Sequence, residues 1–256
     1  MNRRIKITIA VFLYYIGLLP KRYENSVRLL ITTKKFNKKY FLNKKLTWIK
    51  KGYWQLSPMP AVDELNSYYK SFYWESRGGN INTILIERDI QHYQTLKKIL
   101  PNIFSKSALK ILNIGAGHGG ISHLFHASGH NIINIEPDNI QKYYEKNWNT
   151  YSSIDYCNGI FDFIYSSHSL EHVYDIDIFL KKIKKISNNG THFFFEVPNC
   201  MRKNEPIIRP PHTYYFTPDF FNKISKNVIL NETYSQNKIV YNEEGNVIRC
   251  IFKGLN

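Results

Sequence analysis

Residues 108–125, ALKILNIGAGHGGISHLF, carry the reading on which the fold turns. Leu109 to Ile114 is a short apolar run that reads as a buried strand. Gly115, Gly117, Gly119 and Gly120 make a tight turn, and Ile121, Leu124 and Phe125 open a helix. Glycine suits the turn because a side chain would block the close approach of backbone N–H groups at a helix N-terminus to a ligand. The spacing satisfies both G-x-G-x-x-G (115, 117, 120) and G-x-G-x-G (115, 117, 119), so the glycines alone leave the cofactor class open. A second apolar strand, Ile132 to Ile135, ends in Glu136, 21 positions after Gly115, where a doubly wound α/β fold sets an acid against ribose hydroxyls. The alternative, in which Glu136 merely starts a helix with Pro137 and Asp138, stays open.

Further along, FDFIYSSHSLEHVYDIDIFLKKIKKISNNGTHFFFEVPN runs from Phe161 to Asn199. Phe161 to Ser167 reads as a strand, and His192 to Val197 as another. Between them Phe179, Leu180, Ile183 and Ile186 form the inward stripe of a helix whose Lys181, Lys182, Lys184 and Lys185 face water. Two strand-like runs, Val228 to Ser235 and Val247 to Phe252, flank Glu243, Glu244 and Gly245 and predict a terminal antiparallel hairpin. A dinucleotide-binding domain would continue with parallel βαβ units instead. Upstream, Ile86, Ile90, Tyr93 and Leu100 predict an amphipathic helix from about Thr83 to Leu100, closed by Pro101.

Several motifs in this order resemble the class I S-adenosylmethionine-dependent methyltransferases, specifically a branch that includes quinone- and sugar-methylating enzymes. They are Gly115-x-Gly117-x-Gly119, Glu136-Pro137, Leu170-Glu171-His172-Val173, Val197-Pro198-Asn199 and PHTYYFTPDFF from Pro211 to Phe221. The resemblance covers about Gly52 to Gly254. It implies an α/β, Rossmann-like methyltransferase fold with a seven-stranded, mostly parallel sheet, the C-terminal hairpin antiparallel, and S-adenosyl-L-methionine as cofactor. It also implies that the Gly115–Gly119 loop holds the methionine moiety, Glu136 the ribose and Asp155 the adenine side. Asn113 stands where the family usually carries an acid. Its amide keeps an acceptor and loses a negative charge, which predicts weaker affinity for a cationic cofactor.

Methyl transfer from a sulfonium needs little covalent help, because the cofactor carries the electrophile and positioning supplies much of the rate. A hydroxyl acceptor does have to lose its proton. His172 and His168 follow the carboxyl end of the fourth strand, where sites lie in open α/β sheets, and either can be the general base. The alternative for His172 is a structural role, capping the next helix. His212, from the loop Pro210-Pro211, and Tyr214 are candidates for the acceptor pocket. The linear sequence shows no metal-ligand cluster, so no metal site is expected.

The chain has 256 residues, 43% hydrophobic and 15% aromatic, which is globular composition and excludes collagen-like, low-complexity and coiled-coil classes. Cys157, Cys200 and Cys250 are odd in number and lack C-x-x-C spacing, so no disulfide framework is indicated and a reducing, cytoplasmic setting fits. The net charge of +15 is uneven: residues 1–51 hold 14 Lys/Arg against the single acid Glu24. The expected organisation is a basic amphipathic arm (1–51), an aromatic-rich helical cap (52–105) and an S-adenosylmethionine-binding domain (106–256).

Within the arm, Ile7 to Leu19 is a nearly pure apolar run of 13 residues, too short for the roughly 20 that span a bilayer. From Leu29 to Ile49, Lys34, Lys35, Lys38 and Lys39 alternate with apolar residues in a basic amphipathic pattern. Residues 3–49 therefore suit an anionic membrane surface, at the inner face of the membrane. A signal peptide, a helix packed on its own domain and an RNA-binding arm are the alternatives. The function expected is O-methylation of a small molecule, a glycan precursor or a lipid-linked saccharide. RNA methylation and a non-catalytic binding protein of the same fold are the rival readings.

Overall fold

The computed structural model describes residues 3–69, 87–106, 108–137, 149–199, 201–202, 205–235 and 246–256. Residues 70–86 of the expected aromatic-rich cap, with the first turn of the helix expected from Thr83, and the turn at 243–245 lie outside these residues.

In chain order the strands are β1 (Lys45–Ile49), β2 (Tyr53–Ser57), β3 (Lys110–Ile114), β4 (Asn131–Ile135), β5 (Asn149–Tyr151), β6 (Phe163–Ser167), β7 (His192–Pro198), β8 (Met201–Arg202), β9 (Glu205–Pro206), β10 (Tyr214–Phe216), β11 (Ser225–Ser235) and β12 (Asn246–Leu255). The helices are α1 (Arg3–Tyr15), α2 (Lys21–Asn37), α3 (Val62–Tyr68), α4 (Glu87–Ile99), α5 (Pro101–Phe104), α6 (Gly120–Ala127), α7 (Ile176–Lys185) and α8 (Pro218–Ile224).

Seven strands form one sheet in the order β11-β12-β7-β6-β3-β4-β5. The β3–β4, β3–β6, β4–β5 and β6–β7 pairs are parallel, and β12 pairs antiparallel with both β7 and β11. The predicted mostly parallel sheet with its antiparallel C-terminal hairpin is therefore present. Residues alternate between two cores. Leu112, Ile164, Phe193 and Phe195 face one side, where Ile176, Phe179 and Ile183 of α7 cover them. Ile111, Phe163, Tyr165 and Phe194 face the other, under Leu96 of α4 and Ile121 and Phe125 of α6. A parallel sheet covered on both faces requires such nearly continuous apolar strands. Phe194 lies stacked on Tyr165 with ring centroids 4.8 Å apart, and truncating so buried a ring to alanine costs about 3–5 kcal/mol.

The chain leaves β3 toward β4 on one side and later returns to β6 on the other. This is the topological switch point of a doubly wound sheet, and the crevice beyond its carboxyl ends is where ligands bind.

Three expectations are corrected. The amphipathic pattern continues to Ile49 on paper, but the helix α2 ends at Asn37 and, after a wider helical turn to Leu42, Lys45–Ile49 is a strand. It pairs with β2, which in turn pairs with β10, so the expected boundary between arm and cap at residues 51 and 52 falls at a hairpin. Gly52 has φ +101°, and a Cβ there would stand 2.6 Å from the Phe220 nitrogen, so the turn admits only glycine without a shift of that backbone. Second, Ile90 is exposed, and the buried face of α4 carries Asp89, His92 and Leu96 instead. Third, the helix expected to reach Leu100 ends at Ile99, and Pro101, which closes it as expected, also opens the short α5.

Candidate active site

A cavity of about 1020 Å³ lies at the carboxyl ends of the parallel strands. Its lining brings together Asn113, Gly115, Gly117, Glu136, His168, His172 and His212, seven of the ten predicted site residues. Gly119, Asp155 and Tyr214 do not line it.

The glycine turn has a local cause. Gly115, Gly117 and Gly119 take φ of +70°, +54° and +75°, and Gly119 precedes α6. A Cβ on Gly115 would stand 2.4 Å from Ser169 Cβ, so this glycine lets the turn after β3 meet the turn after β6. Ser169 Oγ donates to the Ile114 carbonyl at 2.9 Å and closes that contact. The N–H groups of Gly115 and Ala116 donate to the Ile135 carbonyl, at 2.8 and 3.0 Å. The N–H of Gly117 donates to Glu136 Oε2 at 2.8 Å. Glu136 is buried at the end of β4 and faces the cavity with its remaining acceptor capacity.

Asn113 is buried, and its side-chain amide donates to Ser122 Oγ at 2.8 Å; that hydroxyl donates to Asn134 Oδ1 at 2.6 Å. The amide that replaces the expected acid thus ties β3 to α6 and β4. Asp155 sits on a helical turn after β5, half-exposed, with Oδ2 accepting from Lys182 Nζ at 2.7 Å and from Ser153 Oγ at 2.9 Å. Those two bonds hold its carboxyl below the usual range. Ser152, Ser153 and Ile154 line the cavity beside it.

The Leu-Glu-His-Val turn builds a cluster of ionisable groups. Glu171 is buried, with Oε1 3.5 Å from His168 Nδ1, 3.7 Å from His172 Nε2 and 4.0 Å from His212 Nε2. Burial pushes its carboxyl up, but His172, His168 and His212 outweigh burial and hold it at about 2. His212 arrives from 40 residues downstream because Thr213 fastens its loop to this turn. The Thr213 N–H donates to the Glu171 carbonyl at 2.9 Å, and Thr213 Oγ1 donates to the carbonyls of Glu171 and Val173. The His172 and His212 rings then lie 5.0 Å apart. Glu171, His172 and His212, which the linear sequence does not group as metal ligands, present ligand atoms all within 4.8 Å of one another.

His168, in left-handed backbone at φ +54°, also approaches a second buried carboxylate, with Nε2 3.6 Å from Glu196 Oε1. Glu196 on β7 accepts two bonds from Arg249 of β12, at 2.9 and 2.6 Å, and lies 3.1 Å from His92 Nε2. The Tyr165 hydroxyl is 2.6 Å from His92 Nδ1. Burial alone would raise the Glu196 carboxyl, yet His92, Arg249 and His168 hold it well below the usual range.

The Tyr214 hydroxyl donates to the Tyr174 carbonyl and accepts from the Ile176 N–H. Arg88 and Asp89 of α4 line the cavity and were not among the predicted residues. The signal available was two polar residues on the face of α4 that covers the sheet. Burial pushes the Cys157 thiol up to about 11 and Cys250 to about 12, so neither is a thiolate nucleophile.

The sheet order and the glycine turn closing on Glu136 define a class I S-adenosylmethionine-dependent methyltransferase fold. Residues 86–227, more than half of the chain, match the family model of a methyltransferase domain, and the chain belongs to that family. The first of the following solved structures shares the fold, and the other two are similar chains. A Burkholderia thailandensis 1,6-didemethyltoxoflavin-N1-methyltransferase with bound 1,6-didemethyltoxoflavin and S-adenosylhomocysteine is 14% identical, with TM-score 0.57 over 82% of this chain and 99% of that one. A magnesium protoporphyrin IX methyltransferase from Synechocystis with bound S-adenosylmethionine is 12% identical, with TM-score 0.48 over 77% and 99%. A methyltransferase from an antibiotic biosynthesis pathway of Anabaena variabilis is 15% identical, with TM-score 0.38, and this chain spans 47% of its length and 44% of its own. No curated protein matches the chain significantly.

Proposed function

We propose that this chain transfers a methyl group from S-adenosylmethionine to an oxygen of a small molecule, a glycan precursor or a lipid-linked saccharide. One observation carries the reading: the same cavity is lined by the glycine turn with Glu136 and by the histidines around Glu171. The cofactor supplies an electrophilic methyl group on a sulfonium. The residues present fit it. The turn from Gly115 to Gly119 would give close backbone approach to the methionine portion, the Glu136 carboxylate would meet ribose hydroxyls, and Ser152, Ser153 and Ile154 would line the adenine side next to Asp155.

The acceptor hydroxyl passes its proton to His172 or His168, and the Glu171 carboxylate beside both rings stabilises the imidazolium that forms. Thr213 and the Thr213–Glu171 bonds keep His212 in the acceptor pocket.

The arm supports an acceptor met at an anionic membrane surface on the cytoplasmic side. Ile5, Ile9, Phe12 and Ile16 are exposed at i, i+4, i+7 and i+11 along α1 and just past it, in a segment with 14 basic residues and one acid. Among the described residues no helix is long and apolar enough to cross a membrane. The arm reaches the site through packing: Phe36 and Phe41 meet Tyr68, whose neighbour Tyr69 lies 5.7 Å from the His172 ring.

Incubating the full chain with methyl-labelled S-adenosylmethionine, nucleotide sugars, lipid-linked saccharides, phenols and RNA tests the acceptor class. The expected product is a labelled methyl ether of a non-polymeric acceptor. Label found only on nitrogen, or only on RNA, would sink the oxygen reading.

A further inference from the structure

We infer that Glu171, His172 and His212 form a binding site for one divalent transition-metal ion at the wall of the cavity. The inference deepens the methyl-transfer reading and rests on it only for the ion's use, not for its binding. The Glu171 side chain is 2% exposed, and the donors nearest its carboxylate are imidazoles at 3.5 Å or more, His168 Nδ1 the closest. A buried carboxylate left so is costly, and native structures supply it with donors or a cation.

The surrounding distances are those of a ligand shell that has not closed. His172 Nε2 at 3.7 Å and His212 Nε2 at 4.0 Å from Glu171 Oε1 are too long for hydrogen bonds. Donors bound to one zinc-sized ion at about 2.0–2.2 Å stand roughly 3.0–3.6 Å from one another, and the three ligand atoms already lie within 4.8 Å of one another, so side-chain shifts of up to about 1 Å per group close the set. All three residues line the cavity, which leaves the ion's remaining positions open to an acceptor oxygen.

The donor set decides the metal class. Two imidazoles with one carboxylate select zinc, manganese, iron or cobalt over magnesium and calcium, which take oxygen donors. The fold explains why the set is assembled: Glu171 and His172 are neighbours on the turn after β6, and Thr213 bonds the His212 loop to the Glu171 carbonyl. An ion at this point neutralises the Glu171 carboxylate and takes His172 as a ligand. His168 then remains as the imidazole able to accept the acceptor's proton, and a hydroxyl bound to the ion gives that proton up more readily.

The experiment uses the full chain, stripped of metal by a chelator, and measures binding without cofactor or acceptor. Zinc, manganese and magnesium are titrated by calorimetry, and cobalt by its visible absorption. The expected results are one zinc per chain, magnesium far weaker, and a cobalt spectrum of low coordination number. Glu171→Gln and His212→Gln should each weaken zinc by at least about a hundredfold, with folding followed by circular dichroism. His212 lies on a loop, so its variant serves even where Glu171→Gln does not fold. Failure of the folded parent chain to bind zinc, manganese or cobalt overturns the site, as does zinc affinity unchanged in His212→Gln. Either result leaves the methyl-transfer reading standing, and cofactor binding measured separately decides that reading.

Discussion

The backbone N–H of Gly117 donates to Glu136 Oε2 at 2.8 Å, so the glycine turn and the acid at the end of β4 form one unit. Glu136→Gln keeps the shape and removes the charge that this N–H and a ribose hydroxyl both use. Binding of S-adenosylhomocysteine, measured by calorimetry, should weaken about 10–100-fold, the value of a hydrogen bond to a charged group. Affinity within about twofold of the parent would show that Glu136 only shapes the turn.

Gly115 is required for packing as much as for any ligand. A Cβ there meets Ser169 Cβ at 2.4 Å and Oγ at 2.6 Å, and φ is +70°. Gly115→Ala should destabilise the fold by about 2–4 kcal/mol in urea unfolding, from overpacking together with left-handed backbone. Adding Ser169→Gly should return part of that loss, because it removes the collision and leaves the backbone term. No recovery in the double variant would mean that the backbone term dominates.

Acid should weaken the fold through the buried group around Glu196. Its carboxyl is held below the ordinary 4.5, so its contribution is present above that value and is lost as pH falls toward the folded one. Burial outweighs Glu196 and lowers His92 from the ordinary 6.5, so its contribution is likewise present above 6.5 and lost as pH falls. Both slopes have the same sign. Unfolding free energy should drop from about pH 7.5 downward, His92 acting first, and go on falling below about pH 4.5 as Glu196 is lost; a flat profile from neutral into acid would contradict the buried pair.

The arm's exposed stripe gives a separate expectation. Ile9→Asp with Phe12→Asp should abolish sedimentation of the full chain with anionic vesicles while leaving cofactor binding unchanged. High salt should weaken the parent's binding, because each lysine near an anionic surface contributes about 1 kcal/mol through a screened interaction. Equal sedimentation of parent and variant would remove the membrane from the account.

Most of the sheet was legible because β3, β4, β6 and β7 are short apolar runs and because the glycines sit between a strand and a helix; β5, Asn149–Tyr151, has no such run. Gly115, Gly117 and Glu136 could be read for the same reason: the backbone demands them at fixed spacing. What could not be read depends on residues far apart in the chain. Glu196 and Arg249 are 53 positions apart and meet only across β7 and β12. His212 reaches Glu171 through Thr213, whose bonds are to backbone and leave no pattern in residue types. Asp89 and His92 break the apolar stripe of α4, so a periodic reading chose Ile90, which is exposed. Lys45 to Ile49 carries an amphipathic pattern that suits helix and strand alike, and pairing with Tyr53–Ser57 decides it. Asp155 has the residue type and place for an adenine contact, but Lys182 of α7 engages its carboxylate.

The central claim is that the cavity at the end of β3 and β4 holds S-adenosylmethionine. Calorimetric titration of the full chain with S-adenosylmethionine and S-adenosylhomocysteine, beside Gly117→Arg, tests it most directly. The account predicts one site per chain for both ligands, with loss of both in the variant, where the arginine fills the space the backbone leaves open. A folded chain that binds neither ligand, or a variant that binds them as the parent does, would contradict it.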